Sequence, residues 1–200
     1  VRDLGRTFEL METAVKPYPS CRYGHAGIDA ALALRAEARL KPEEVETVTL
    51  GLPRSGMMLI GEPPAKKMDP HNVVDGQFSG PYVIACALAT GRMGWDSYGL
   101  LTDATVRGLL PKVKCEIDPE IEAEFPAHMA GKVTISARGR HFTRTVSVPK
   151  GEPGNFLTED ELRAKFTSLA DTALGPARAH RLADAVLAID RTTSIAALND

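Results

Sequence analysis

The sequence contains little cysteine, no long apolar run and no excess of charge of either sign. Its three cysteines, Cys21, Cys86 and Cys115, are odd in number and show no metal-ligand spacing. This argues against a disulfide scaffold, a zinc site or an iron–sulfur cluster and favours a reducing compartment, so we expect a cytoplasmic protein. The longest apolar run, residues 83–89, is far shorter than the roughly 20 residues that a membrane-spanning helix needs.

The charge balance excludes broad electrostatic attraction to other macromolecules. The 200 residues include 24 Lys and Arg against 26 Asp and Glu, a formal net charge of -2. We therefore expect neither nucleic acid nor membrane as a partner. A Gly-x-Ser-x-Gly elbow and a Gly-rich phosphate loop are both absent from the sequence, which disfavours a serine hydrolase or a nucleotide-binding protein. With 44% apolar residues the chain is long enough to bury a core.

Helical patterns and one strand are predicted in the first half of the chain. An extended start at residues 7–15 leads through a proline-stiffened loop to a helix over residues 25–40. A β-branched strand follows at residues 45–50, with Val48 and Leu50 on its buried face. We expect a long loop between residues 53 and 76. Two helices then follow: one over residues 74–88, interrupted near residue 80 and stopped by Gly91, and one capped by Asp96 or Ser97 that runs to about residue 110.

In the second half of the chain, apolar residues first recur with a period of two and then again with a helical period. Alternating apolar residues at positions 113–117, 133–137 and 142–148 predict three strands, the last two joined by a turn at residues 138–140. Thr158 and Glu161 form a capping box for one helix, and Pro176 begins another. The order predicts an α+β fold with a small antiparallel sheet covered by helices. We assign residues 1–157 to this domain and residues 158–200 to C-terminal helices.

The densest polar constellation is Lys16, Arg22, Tyr23 and His25, within ten residues of a stiff loop and a helix entry. Two cations and a histidine beside helix-terminal N–H groups suit a bound carboxylate. A buried Lys16 would also be able to move a proton. The structural alternative is that the cations are solvated and His25 is a cap or core residue.

The other histidines show no partner at metal-ligand spacing, and Lys66-Lys67 is typical of a solvated surface pair.

Three separated motifs resemble the MmgE/PrpD family over nearly the whole chain. They are KPYPSCRYGHAGIDA at residues 16–30, QFSGPYV at residues 77–83 before an alanine-rich helix, and VPKGEPGN at residues 148–155. The family includes 2-methylcitrate dehydratase, cis-aconitate decarboxylase and iminodisuccinate epimerase. The resemblance implies a homodimeric enzyme of propionate or related metabolism that needs no cofactor and no metal and acts on small polycarboxylates such as 2-methylcitrate. It also implies a lid-type domain whose C-terminal helices pack on an N-terminal helical domain that has no counterpart in this sequence. Because the chain begins with Val1 rather than Met, we expect a fragment or a processed chain that is inactive by itself.

The resemblance also carries over individual site residues. Lys16 matches a lysine that faces the family's substrate pocket, and we expect Lys16 and His25 to be catalytic. The expected substrate-binding residues are Arg22, Tyr23, Met57, Met58, Gln77 and Ser79. Lys16 would neutralise a substrate carboxylate or a developing enolate-like charge. The first hypothesis is therefore a dehydratase-type lyase; an epimerase, an isomerase, a decarboxylase and a non-catalytic binding or dimerisation fragment are the alternatives.

Overall fold

A computed structural model of the protein describes residues 3–192, 194 and 195. The chain divides into two compact units, Val1–Asn155 and Phe156–Asp200. The predicted boundary after residue 157 lies close to this division. That the units are a lid domain and returning helices stays a prediction.

The first unit combines one sheet with short helices, and the second is helical. The strands are β1 (Val45–Leu52), β2 (Val113–Ile117), β3 (Gly131–Ala137) and β4 (Arg140–Val146). The helices of the first unit are α1 (His25–Glu37), α2 (Arg54–Gly56), α3 (Pro64–Lys67), α4 (Val73–Gln77), α5 (Gly80–Thr90), α6 (Ala104–Leu109) and α7 (Pro119–Glu124). Those of the second unit are α8 (Glu159–Leu174) and α9 (Pro176–Leu187). None of the helices described has the length and apolar character to cross a membrane.

The sheet has the order β2-β1-β3-β4. Strand β1 pairs parallel with β2, with Val48 opposite Val113, and antiparallel with β3, with Val48 opposite Ile135. Strands β3 and β4 form an antiparallel hairpin around Gly139, whose φ is +64°. The α+β fold is confirmed, but the sheet is mixed rather than purely antiparallel. The helical segment between β1 and β2 is long enough for the crossover that a parallel pair requires.

One face of the sheet forms the core with α1 and α5. Val48, Leu50, Val133 and Ile135 are buried on this face, which confirms the predicted burial of the β1 residues. Gly27 of α1 lies against Leu50, because a Cβ at position 27 would come within 2.5 Å of a Leu50 methyl carbon. The helix therefore approaches the sheet more closely than a larger residue would permit.

The prediction of a long loop over residues 53–76 is wrong. The structure has α2, a π-helical turn at Met57–Gly61, α3 and the start of α4 in this segment. Pro64 is the first residue of α3, a position where proline costs no hydrogen bond, and the Asn72 side chain accepts from the Asp75 amide to begin α4. The prolines and the asparagine therefore begin helices here instead of preventing them.

Two other predicted elements need correction. The helix expected to start at Asp96 or Ser97 is a 3₁₀ turn at Trp95–Leu100, and α6 begins only after Asp103, whose carboxylate accepts from two backbone amides. The expected extended start at residues 7–15 contains a 3₁₀ turn at Glu9–Glu12. By contrast, the interrupted helix is confirmed, since Ser79 caps α5 and Gly91 ends it at a φ of +76°.

The second unit confirms the two predicted C-terminal helices. The Thr158 hydroxyl accepts from the Glu161 amide at 3.2 Å, and the Glu161 carboxylate accepts from the Thr158 amide at 2.7 Å. Pro176 occupies the first turn of α9. Within this unit Arg163 of α8 donates to Asp184 of α9 at 2.5 Å. The capping box and the proline therefore begin their helices as the sequence pattern predicts.

Candidate active site

The fold brings the three motif segments together within the first unit. The amide of Cys21 donates to the carbonyl of Gln77 at 2.9 Å, which joins the segment 16–30 to the segment 77–83. The amide of Val15 donates to the carbonyl of Gly151 at 2.8 Å, which places the start of the first segment against the segment 148–155. Residues far apart in the sequence therefore meet around the loop that carries Lys16.

Lys16 lies exposed on this loop. Its Nζ donates to the carbonyl oxygen of Ser20 at 3.2 Å. Among the residues that the structure describes, no carboxylate forms an ion pair with it. A proton-transferring role would require a buried Lys16 side chain, and Lys16 is exposed. Lys16 is instead a cation whose remaining N–H groups can donate hydrogen bonds to an anion.

His25 begins α1 and has no exposed surface. Its Nε2 lies 3.3 Å from the Ser20 carbonyl oxygen, which can only accept, so Nε2 carries the proton. Its Nδ1 lies 3.5 Å from Nη1 of Arg22 and is free to accept. Burial, and then the charge of Arg22, lower the pKa of His25 to about 3, so the ring is neutral at pH 7. His25 therefore supports the Lys16 loop through its hydrogen bond to the Ser20 carbonyl. A direct catalytic role for His25 stays a prediction.

Arg22 forms an ion pair with Glu152 of the third motif segment. The two side chains are only 15% and 23% exposed. Burial lowers the pKa of the guanidinium, while the nearby charge of Asp29 raises it. The predicted carboxylate-binding arginine is therefore already paired with a carboxylate of its own chain.

Tyr23, Met57 and Met58 differ in their contacts and in their exposure to solvent. The Tyr23 ring is 6.3 Å from that of Phe125 and packs beside Gly56. Met57 is half-buried with its sulfur against Gly61, whereas Met58 is 65% exposed. The structure therefore leaves only Met58 of these three largely open to solvent.

Gln77 and Ser79 hold the second motif segment in place. Gln77 contributes its backbone carbonyl to the contact with the first segment, and its side chain is half-buried. Ser79 is buried; its hydroxyl donates to the carbonyl of Lys67 at 2.5 Å and accepts from the amide of Tyr82 at 3.0 Å. The Ser79 hydroxyl is thus occupied by backbone groups, and substrate binding by Gln77 and Ser79 stays a prediction.

Sequence reasoning missed Asp29 as a part of the site. One oxygen of its carboxylate accepts from the Tyr18 hydroxyl at 2.5 Å, and the other accepts from the Lys150 amide at 2.7 Å. Burial raises the pKa of Asp29, and these two hydrogen bonds oppose that rise. Asp29 and Glu152 both lie inside the motifs that carry the family resemblance, and this was the available signal.

Lys67 was also misread, as a solvated lysine. Its Nζ donates to the carbonyl of Leu59 at 2.6 Å, and burial lowers its pKa. Because Ser79 binds the Lys67 carbonyl, this lysine is held next to the start of α5. The surface-pair interpretation therefore applies to its neighbour Lys66, which is exposed, and not to Lys67.

A pocket of about 490 Å³ opens beside the ion pair of Glu152. Its polar lining includes Glu12, His128, Ser147 and Glu152, and the rest of its lining includes three prolines. Lys16 and the other predicted site residues are not among the described residues that line it. Across the described part of the chain, no cluster of three or more His, Cys, Asp or Glu residues could hold a metal ion.

Comparison with known proteins identifies a family model and a curated relative that match this chain. The family model for the MmgE/PrpD C-terminal domain matches residues 18–191. The cis-aconitate decarboxylase-like protein oryM of Aspergillus oryzae (strain ATCC 42149 / RIB 40) is 27% identical over 135 residues. The aligned region covers 64% of this chain and 27% of that relative, so the chain spans about a quarter of the relative's length.

Proposed function

The chain belongs to the MmgE/PrpD family, and from this premise we propose that it is the C-terminal part of a lyase acting on small polycarboxylates. The proposed reaction is the dehydration of a substrate such as 2-methylcitrate. Lys16 contacts the substrate, and its ammonium group neutralises a carboxylate or the enolate-like charge that forms when the proton on carbon is removed.

The observation that carries this proposal is the state of Lys16. It lies exposed on a loop stiffened by Pro17 and Pro19, without a carboxylate partner among the described residues. A cation that is held in place before the substrate arrives stabilises a developing negative charge without reorganisation in the transition state. The carbonyl of Ser20 is a neutral acceptor, so a substrate carboxylate is the stronger partner for the ammonium group.

Arg22 has a supporting role in this proposal. Its guanidinium is paired with Glu152 and mostly buried, so a substrate carboxylate reaches it only by displacing Glu152. His25 is neutral and buried beneath the same loop. We therefore assign the direct substrate contact to Lys16, while Arg22 and His25 hold the loop that presents it.

The remaining parts of the active enzyme are also proposed. We propose that an N-terminal helical domain supplies further acid and base groups, that the enzyme is a cytoplasmic homodimer, and that it needs no cofactor. The greater length of the curated relative is consistent with a further domain. These proposals rest on the family resemblance and on the chemistry that a polycarboxylate requires.

The test uses the intact gene product and the matched variants Lys16→Ala and Lys112→Ala. Lys112 is a fitting control because its Nζ also donates to a backbone carbonyl, that of Val45 at 2.6 Å. Turnover of 2-methylcitrate, citrate and cis-aconitate is followed by mass spectrometry of the products. We expect Lys16→Ala to lower kcat/KM by at least about 100-fold, as for the loss of one stabilising donor, and Lys112→Ala to change it by less than about twofold. Wild-type kcat/KM in Lys16→Ala would overturn the proposal.

A decarboxylase is the second candidate, because the curated relative is named as cis-aconitate decarboxylase-like. Both reactions stabilise negative charge next to a carboxylate, so Lys16 has the same part in each. The product mass separates them, since a dehydratase releases water and a decarboxylase releases carbon dioxide. An unchanged mass with inverted stereochemistry would instead identify an epimerase, and no turnover by the intact gene product would favour a binding module.

A further inference from the structure

The conformation of the Lys16 loop depends on anchors on both sides of that residue. Before Lys16, the amide of Val15 is held by the carbonyl of Gly151 at 2.8 Å. After Lys16, the Tyr18 hydroxyl donates to Asp29 at 2.5 Å. Within the loop, the Lys16 Nζ donates to the Ser20 carbonyl and the Ser20 amide donates to the Tyr18 carbonyl, while the Tyr98 hydroxyl donates to the Pro19 carbonyl at 2.7 Å. These bonds act together with the two anchors that flank Lys16 to set where the ammonium group points.

Asp29 forms the second anchor and also holds the residue next to the first. Its second carboxylate oxygen accepts from the amide of Lys150, the residue directly before Gly151. One carboxylate on the rigid helix α1 thus orders the two segments that flank Lys16. Asp29 does not line the pocket beside Glu152, and neither of its side-chain hydrogen bonds to Tyr18 and Lys150 is needed to form α1.

We infer that Asp29 is a positioning residue that acts through Lys16, since its carboxylate holds the Tyr18 side chain and the Lys150 backbone so that the Lys16 ammonium faces the substrate. This inference rests on the proposed function, in which Lys16 contacts the substrate. A displacement of about 1 Å at a charged group of an active site is enough to reduce turnover about 100-fold. The carboxylate need not touch the substrate for this effect.

Asn at position 29 keeps the size of the side chain and removes one of the two acceptors. An amide has a single acceptor oxygen, so its NH₂ group must face either the Tyr18 hydroxyl or the Lys150 amide, and both of these are donors. One anchor of the Lys16 loop is therefore lost in Asp29→Asn. We expect kcat/KM on the polycarboxylate that the wild-type enzyme converts to fall by about 10- to 100-fold.

The decisive measurement is the coupling between the two residues in the intact gene product. If Asp29 acts through Lys16, the double variant Lys16→Ala/Asp29→Asn has the same kcat/KM as Lys16→Ala alone. A purely structural effect of Asp29→Asn would multiply with that of Lys16→Ala. Fold-losses that multiply would overturn the inference, and so would unchanged kcat/KM in Asp29→Asn.

Two further variants separate positioning from loss of stability. Asp103→Ala is the control, because one carboxylate oxygen of Asp103 accepts from two backbone amides at the start of α6 and alanine removes both hydrogen bonds. We expect it to lower the unfolding temperature and to leave kcat/KM within twofold of wild type. Tyr18→Phe removes only the hydroxyl that donates to Asp29, and it tests the inference if Asp29→Asn does not fold. Its kcat/KM is expected to fall several-fold, with no further loss when it is combined with Lys16→Ala.

The outcomes also distinguish this inference from the proposed function. Wild-type kcat/KM in Lys16→Ala would overturn both, because Asp29 would then have no catalytic group to position. A large loss in Lys16→Ala together with wild-type kcat/KM in Asp29→Asn and Tyr18→Phe would overturn the positioning role alone.

Discussion

Lys16 and His25 direct one nitrogen each at the same acceptor, the carbonyl oxygen of Ser20. The Lys16 Nζ lies 3.2 Å from this oxygen and the His25 Nε2 lies 3.3 Å from it. One of the two is exposed and the other is fully buried. The Ser20 carbonyl thus connects a cation at the surface to a neutral imidazole in the core.

Protonation of His25 is expected to destabilise the fold in acid. The pKa of His25 is lowered to about 3, first by burial and then by Arg22. In the unfolded chain a histidine binds a proton below about pH 6.5, so between these values the unfolded state binds more protons. The free energy of unfolding therefore falls as the pH decreases from about 6.5 to about 3, with a slope approaching about 1.4 kcal/mol per pH unit from this residue.

Urea unfolding of wild type and His25→Gln at several pH values measures this contribution. The glutamine retains an N–H group for the Ser20 carbonyl but does not titrate, so its free energy of unfolding should depend less on pH. His71→Gln is the control, since His71 is exposed and its side chain is 76% accessible. Equal slopes for wild type and His25→Gln between pH 4 and 6.5 would contradict the prediction.

Removal of Glu152 is expected to destabilise the first unit. Glu152→Ala leaves the Arg22 guanidinium largely buried and without its ion-pair partner. We expect the free energy of unfolding to fall by roughly 2 kcal/mol, because an unpaired buried charge costs more than the pair itself contributes. Asp96→Ala is the matched control, since Arg92 and Asp96 form an exposed ion pair that contributes about 0–1 kcal/mol. Equal losses in the two variants would show that the burial of Arg22 is unimportant.

Gly151 permits the contact between the first and third motif segments. A Cβ at this position would lie 1.9 Å from the carbonyl oxygen of Val15, and the residue has a φ of +90°. We expect Gly151→Ala to lower the free energy of unfolding by more than about 3 kcal/mol, through strain and a backbone clash. Gly139→Ala, at a φ of +64° with open space around it, should cost only about 1–2 kcal/mol. A Gly151→Ala protein as stable as Gly139→Ala would mean that the two segments separate easily.

Two of the cysteines are expected to resist alkylation in the folded protein. Burial raises the pKa values of Cys86 and Cys115 to about 12, so at pH 8 only about one thiol in ten thousand is the reactive thiolate. Peptide mapping after iodoacetamide treatment at pH 8 should find both thiols much less modified in buffer than in urea. Rapid modification of either thiol without urea would contradict this burial.

Much of the local structure follows from short-range chemistry and was predictable. Thr158 and Glu161 form their capping box, Gly91 ends α5, and Val48 and Leu50 point into the core. Each of these depends on residues a few positions apart or on a simple alternation. The wrong prediction of a loop over residues 53–76 also depended on short-range chemistry. Pro64 and Asn72 are common both in loops and at helix starts, and tertiary packing determines which of the two forms.

The pairings within the site lay beyond sequence reasoning. Arg22, Glu152 and Asp29 were visible in the motifs. The pairing of Arg22 with Glu152 and that of Asp29 with Lys150 each join residues more than a hundred positions apart, and no local pattern predicts them. Similarly, Ser79 and His25 have residue types suited to binding and catalysis. Their burial and their bonds to backbone groups are known only from the fold.

The sequence by itself determined the α+β class, the main helices and strands, and a stiff loop that carries Lys16, because these depend on local patterns of apolar residues, prolines and caps. Only the tertiary structure decided that β2 pairs parallel with β1, that Glu152 neutralises Arg22, and that Asp29 joins two segments around Lys16. Such contacts form when distant parts of the chain pack on a shared core, where burial sets the charge state of each group and determines which partners it can reach.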